Sequence, residues 1–260
     1  MSHNKNFVNF YRIDPNNIGD FYSSPIKYFD FLKKSKAADI APRRFRRFIP
    51  NIKNKMVIIG GGGLIGHHYF ESKIMAIMKA QAKHIIFWGA GHNIHGNAKI
   101  IYPDYLKSCD LVGVRDFGFD YEWVPCPSCM HAAFDRKYTL KHKIVVYENA
   151  LFGRLGITGY PKLGNNSSKF EDIIAFLGSG EIILSSSYHG IYWGMLLNKK
   201  VIVIDPFSSK FNGLKYKVPF ASCTDWDHKK EEAVNYPQFL DECRDANSSF
   251  AQKVKNLASG

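Results

Sequence analysis

Apolar residues along this chain come in short runs that stop abruptly at glycine or at small polar residues. Lys55-Met-Val-Ile-Ile59 runs into four consecutive glycines, Gly60 to Gly63, which reads as a strand entering a glycine loop. From about His67 to Lys83, Phe70, Ile74, Ile77 and Met78 recur at helical spacing, and His84-Ile-Ile-Phe-Trp88 then predicts a second strand ending in Gly89-Ala-Gly91. Leu111-Val-Gly-Val114 before Arg115-Asp116 repeats the pattern. Upstream, the polar loop Asp14-Pro-Asn-Asn-Ile-Gly-Asp20 separates Phe7-Val-Asn-Phe-Tyr11 from a helix expected around Pro25 to Lys34. Strand, glycine loop, helix, strand is a βαβ rhythm, and it predicts an α/β fold with parallel strands.

The second half restarts with the strand Lys143-Ile-Val-Val-Tyr147, a capped helix from near Ser168, and Glu181-Ile-Ile-Leu184 as a buried strand. Ser185-Ser-Ser-Tyr-His189 follows at once. A short helix from about Gly190 to Leu197 leads into Lys200-Val-Ile-Val-Ile204, which ends at Asp205-Pro206, and a terminal helix is expected from about Pro237 to Leu257. The pattern therefore divides into two halves, residues 1–136 and 137–260, joined near 134–142. It shows no low-complexity tract and no repeat with a period of roughly 20 to 50 residues.

Composition changes this picture little. The 260 residues are 45% apolar and 22% charged, which excludes disorder, collagen and coiled coil as descriptions of the whole. Charge adds more: 35 Lys and Arg against 23 Asp and Glu give +12, a surplus that favours an anionic partner. The basic stretches Pro42 to Phe48 and Arg136 to Lys143 are expected as solvated faces, without a nucleic-acid partner. Five cysteines are an odd set for a disulfide framework and point to a reducing compartment. Met1 to Phe10 is too polar for a signal peptide, and no stretch reaches about 18 uninterrupted apolar residues, so a cytoplasmic protein without an integral membrane segment is expected.

Candidate chemistry gathers where the strands end. Glycines there let backbone amides approach a ligand, and the next helix offers its N-terminal amides to an anion; the other reading is tight turns that need small residues. Gly61 to Gly66 satisfies GxGxxG, but position 88 is Trp and no acidic residue stands at a strand end about 20 residues on, which argues against a dinucleotide. His189, between a buried strand and a helix, is placed for general acid or base work over the sheet's carboxyl edge, with a packed histidine behind a capping serine cluster as the alternative. Arg115 offers a planar fork to carboxylate or phosphate unless it is spent on an internal ion pair with its surroundings, and Lys210 is a further cation near the same edge. Cys126-Pro-Ser-Cys129 lacks a second half-site for zinc and reads as two buried thiols. His67, His68, His92 and His95 flank the glycine loops.

In this order, Asn17-Ile-Gly-Asp20, Gly60 to Gly63, Gly89-Ala-Gly91, Val112-Gly-Val-Arg-Asp116 and Ser185 to Gly190, followed by Gly194, Val201 and Lys210, resemble the polysaccharide pyruvyl transferase family over roughly residues 15–215. The resemblance implies two Rossmann-like halves facing a cleft, as in GT-B glycosyltransferases, with the acceptor on the amino-terminal side and the donor on the carboxyl-terminal side. It implies transfer of a pyruvyl group from phosphoenolpyruvate onto two hydroxyls of an oligosaccharide or polysaccharide acceptor, a cell-surface or exopolysaccharide glycan, forming a ketal and releasing phosphate with no cofactor. Separately, the residues offer no ligand cluster that demands a metal. His189 and Asp20 would be catalytic. Arg115 and Lys210 would hold the donor's phosphate or carboxylate, and Asn17, Gly61, Gly62, Gly91, Ser186, Ser187 and Tyr188 would line the substrates. The chain departs from the family in one respect: Ser187 stands where many members carry arginine, and Tyr188 replaces leucine, so an expected fork on the donor is lost. Two other readings are a glycosyltransferase using a nucleotide sugar, with Glu181 as the nearby carboxylate, and a non-catalytic glycan-binding relative.

Overall fold

The computed structural model describes residues 6–41, 47, 49–66, 72–94, 96, 99–149, 155–166 and 169–260. Apolar runs form its central strands, and all the strands are parallel. The first sheet contains β1 (Phe7–Tyr11), β2 (Lys36–Asp39), β3 (Met56–Ile59), β4 (Gly62–Ile65), β5 (His84–His92), β6 (Leu111–Val114) and β7 (Glu122–Trp123). Its order is β2-β1-β3-β5-β6-β7, with β4 continuing the line of β3 along the far end of β5. The second sheet contains β8 (His142–Glu148), β9 (Lys162–Gly164), β10 (Gly180–Ser185), β11 (Lys200–Ile204) and β12 (Phe220–Ala221), in the order β12-β11-β10-β8-β9. Every residue of β1 and β3 is buried, as expected for parallel strands covered on both faces. The helices are α1 (Ile18–Phe21), α2 (Ser72–Gln81), α3 (Phe170–Gly178), α4 (Tyr188–Leu196) and α5 (Phe239–Ser259).

Both sheets share one doubly wound plan, the Rossmann-like α/β architecture read from the sequence. In each, the chain builds outward on one side of its first strand and then on the other, so the order reverses between β1 and β3 and between β8 and β10. Ligands of open α/β sheets bind beyond the carboxyl ends of the strands at such reversals. The Asn17–Asp20 and Gly60–Gly63 segments follow β1 and β3, while Asn149 and Ser186–His189 follow β8 and β10.

Helix α5 ties the two sheets together. Phe239 and Cys243 near its start lie in the core around Trp193 and Tyr192, whereas Phe250, Ala251 and Val254 pack with Phe7, Ile58 and Trp88 under the first sheet. Midway, Asn247 accepts a hydrogen bond from Trp88 Nε1 at 2.9 Å and donates to the carbonyls of Pro125 and Cys243 at 3.1 and 3.0 Å.

Some local expectations differ. Pro25 to Lys34 is a single 3₁₀ turn, Pro25–Lys27, followed by turns, because Phe29 and Phe31 are drawn onto Trp88 at ring separations of 4.8 and 6.5 Å. Tertiary packing outweighs a weak helical preference there. Strand β5 does not stop at Trp88: it passes through Gly89, at φ 63°, with a register shift against β6, and continues to His92. Lys169 stands at the amino end of α3 without a side-chain cap, and Ser168 lies outside the described residues. Among the described residues no helix is long and apolar enough to cross a membrane.

Candidate functional site

The carboxyl edges of the two sheets meet. On one side the loop after β11 joins the loop after β5: Gly96 N donates to Phe207 O at 3.0 Å, and Ser208 Oγ donates to Ile94 O at 2.9 Å. On the other side Ile18 N donates to Asn165 O at 3.2 Å, linking the loop after β1 to the end of β9. Asn149 N donates to Ser186 Oγ at 3.1 Å, which pins the serine loop across the reversal point of the second sheet.

His189 sits in the first turn of α4 at this junction, buried to 7% exposure. Its ring is packed against Gly19 so closely that a Cβ there would fall 2.7 Å from Cγ and 2.9 Å from Cε1, and would overlap Nδ1 outright. Only a residue without a side chain fits, which explains the glycine in Asn17-Ile-Gly-Asp20. Nε2 faces the Cys126 Sγ at 3.6 Å, and the ring leans on Trp193 at 5.1 Å. Burial, then the positive charges of Arg115 and Lys210, hold its pKa well below the ordinary histidine value.

Arg115 leaves β6 at 3% exposure, and its guanidinium lies 4.1 Å from the centre of the Tyr188 ring. Its NH2 donates to His92 O at 3.3 Å, while Nε has no hydrogen-bond partner among the described residues. Gly91 makes room for it: a Cβ there would come within 2.7 Å of Cδ. Asp116 is 3.9 Å from Nε and braces the strand ends, its Oδ2 accepting from His92 N and from the Tyr102 hydroxyl, both at 2.7 Å. The internal pairing considered for Arg115 is therefore present, but long, and the second neighbour does most of its bonding elsewhere.

Asp20 and Lys210 are half-buried. Asp20 Oδ2 accepts from Asn17 Nδ2 at 2.8 Å, and Oδ1 would lie 3.4 Å from a Cβ on Gly62, so the carboxylate rests on the glycine loop. Burial raises its pKa against the pull of Lys210, Arg115 and Arg12. Gly61 N donates to Ser23 O at 3.0 Å and closes that loop onto α1. Lys210 Nζ lies 4.7 Å from the Phe207 ring centre; burial and Arg115 push its pKa down to about 8, with Asp20 opposing.

The structure thus gathers Asn17, Asp20, Gly61, Gly62, Gly91, Arg115, Ser186, Ser187, Tyr188, His189 and Lys210 around one junction. Ser187 stands at the amino end of α4 without a side-chain cap, and its N–H donates to Ser185 Oγ at 3.0 Å. Cys126 belongs to the junction too, a placement the sequence reading missed; a CxxC pair 63 residues before His189 carries no signal of that contact. His92 is fully buried, its Nδ1 3.4 Å from Ser209 Oγ. His67, His68 and His95 lie outside the described residues, as does most of Pro42 to Phe48, while Arg136, Lys137 and Lys141 to Lys143 are exposed. Glu181 does not reach the junction. It is exposed at the opposite end of β10, about 16 Å of strand away at 3.3 Å per residue, beside Lys200. Among the described residues no cluster of three or more His, Cys, Asp or Glu side chains is placed to hold a metal ion.

No curated protein and no solved structure gives a significant match to the chain. The family model for polysaccharide pyruvyl transferase matches residues 4–209, from before β1 to the loop after β11, and spans all but one of the junction's residues. The chain belongs to the polysaccharide pyruvyl transferase family and is a transferase enzyme.

Proposed function

We propose that the protein moves a pyruvyl group from phosphoenolpyruvate onto two hydroxyls of a glycan acceptor in the cytoplasm, forming a ketal with no cofactor beyond the donor. The observation that carries this reading is the convergence of Arg115 from the first sheet with Tyr188, His189 and Lys210 from the second. A small trianion suits a buried guanidinium, a half-buried ammonium and the amino end of α4. Arg115 seated on Tyr188 supplies the fork that Ser187 cannot.

The chemistry begins with protonation of the donor's methylene carbon, which leaves the adjacent carbon oxocarbenium-like. One acceptor hydroxyl adds there and gives up its proton. The carbon–oxygen bond to phosphate then breaks, and the second hydroxyl closes the ring on the renewed cation. His189 is the proposed acid and base, with Asp20 as the second carrier of protons. Donor binding would itself prepare the acid: an anion between Arg115 and Lys210 offsets the two charges that depress the imidazole, so its pKa rises when the substrate is in place. The nucleotide-sugar reading is weaker because Glu181, its candidate carboxylate, stands at the far end of β10.

Incubation with phosphoenolpyruvate and a panel of oligosaccharides tests the proposal. Phosphate release with a mass gain of pyruvate minus water on one acceptor is expected, and His189→Ala should lose turnover while still binding donor. Unchanged turnover in that variant would overturn the assignment of His189.

A further inference from the structure

Three hydrogen bonds line up behind His189, and the first has a fixed direction. Trp193 Nε1 can only donate, and it does so to Ser128 Oγ at 3.0 Å. The serine hydroxyl lies 3.2 Å from Cys126 Sγ, where either group can donate, and it has a proton of its own to give to sulfur. The thiol's one proton can go to that oxygen or to His189 Nε2 at 3.6 Å, and the imidazole nitrogen is the stronger acceptor of the two. The Cys126 backbone is held as well, its carbonyl accepting from the Tyr192 hydroxyl at 2.9 Å. Trp193 and Tyr192 both belong to α4, so the helix that carries the histidine also positions the thiol facing it.

We propose that Cys126 is a positioning residue for His189: the chain from Trp193 through Ser128 and the Cys126 thiol holds the neutral imidazole with its proton on Nδ1, facing Gly19 and the Asn17–Asp20 loop. Two conditions support this. Burial keeps the thiol pKa raised against the hydrogen bonds of Ser128 and the charge of Arg115, so sulfur retains its proton, and the same burial with Arg115 and Lys210 keeps the imidazole neutral. A neutral imidazole whose Nε2 accepts from sulfur carries its proton on the other nitrogen. The catalytic consequence rests on the proposed pyruvyl transfer. The nitrogen turned toward the amino-terminal loop is the one that meets substrate, first as a donor N–H. When the ring is protonated at Nε2, that proton turns to sulfur, Nδ1 gives its own proton to the donor's methylene, and Nδ1 then takes a hydroxyl proton back.

The test is the tautomer itself. Two-bond ¹H–¹⁵N spectra of ¹⁵N-histidine protein at pH 8, with the His189 signals identified by their loss in His189→Gln, should show the Nδ1–H form. Cys126→Ala should move the population toward Nε2–H, the usual preference of a free imidazole, and Cys126→Ser should keep Nδ1–H because a hydroxyl can still donate to Nε2. Ser128→Ala, which unhooks the thiol while leaving sulfur in place, should shift the population in the same direction as Cys126→Ala. A wild-type spectrum dominated by Nε2–H, or one unchanged in Cys126→Ala and Ser128→Ala, overturns the proposal. On the same samples, kcat for pyruvyl transfer should fall on the order of tenfold in Cys126→Ala and recover in Cys126→Ser, the scale seen when a partner that orients a working imidazole is removed. A spectral shift with kcat unchanged overturns the positioning role. A spectral shift in a protein that transfers no pyruvyl group supports the hydrogen-bond chain and overturns only the reaction.

Discussion

Gly19→Ala probes the contact between the two halves with one methyl group. The new Cβ would stand 2.7 Å from His189 Cγ and 2.9 Å from Cε1, where carbon atoms in unstrained contact sit about 3.5 to 4 Å apart. Gly19 does not need a left-handed backbone, so the backbone conformation accepts alanine, and within α1 it gains up to about 1 kcal/mol of helical preference. Overpacking a buried ring costs about 1–3 kcal/mol. The single variant should therefore lose about 1–2 kcal/mol. In a His189→Ala background the obstruction is gone and the same change should be neutral or stabilising, which makes the coupling about 2 kcal/mol. Urea midpoints of the four proteins measure this without any substrate. Equal losses in both backgrounds would refute the contact, and with it the argument that the imidazole is held by the amino-terminal loop. With substrate present, displacing the ring by about 1 Å should lower kcat roughly 10²-fold.

Further outcomes follow from neighbouring groups. Because the free enzyme's Lys210 has its pKa pushed down to about 8, kcat/KM for the donor should fall as pH rises through that value, the ammonium being lost above it; Lys210→Arg should abolish the decline, which a pH–rate profile reads directly. Gly91→Ala drives a methyl to within 2.7 Å of Arg115 Cδ and should weaken phosphoenolpyruvate binding about tenfold, about 1.4 kcal/mol, in calorimetry. Asn247→Ala removes the acceptor of the buried Trp88 N–H and a donor to two carbonyls, and should cost about 1–3 kcal/mol in thermal unfolding while leaving donor affinity unchanged.

The strands that build the centre of each sheet were legible because they are continuous apolar runs ending at glycine or at polar residues: β3, β5, β8, β10 and β11 all lie where Met56 to Ile59, His84 to Trp88, Lys143 to Tyr147, Glu181 to Leu184 and Lys200 to Ile204 suggested. Edge strands were not. Lys36-Ala-Ala-Asp39 and Lys162-Leu-Gly164 are half polar, and only pairing with a neighbour makes them strands. The return of α5 to the first sheet was invisible for a related reason, since Phe250 and Trp88 look like ordinary apolar positions until they meet at 5.2 Å. At the site, residues at strand ends could be placed on one edge from the chain alone. What they touch could not: Tyr188 as the seat of Arg115, Asp116 as a brace and Cys126 behind His189 are contacts between segments far apart in sequence.

Titration of the protein with phosphoenolpyruvate by calorimetry is the most direct measurement of whether one anion binds between the two sheets. One site per chain is expected, lost in Arg115→Gln, weakened in Lys210→Gln and retained in His189→Ala. Full-strength binding in both cation variants, or no binding by the wild type, would contradict the shared site.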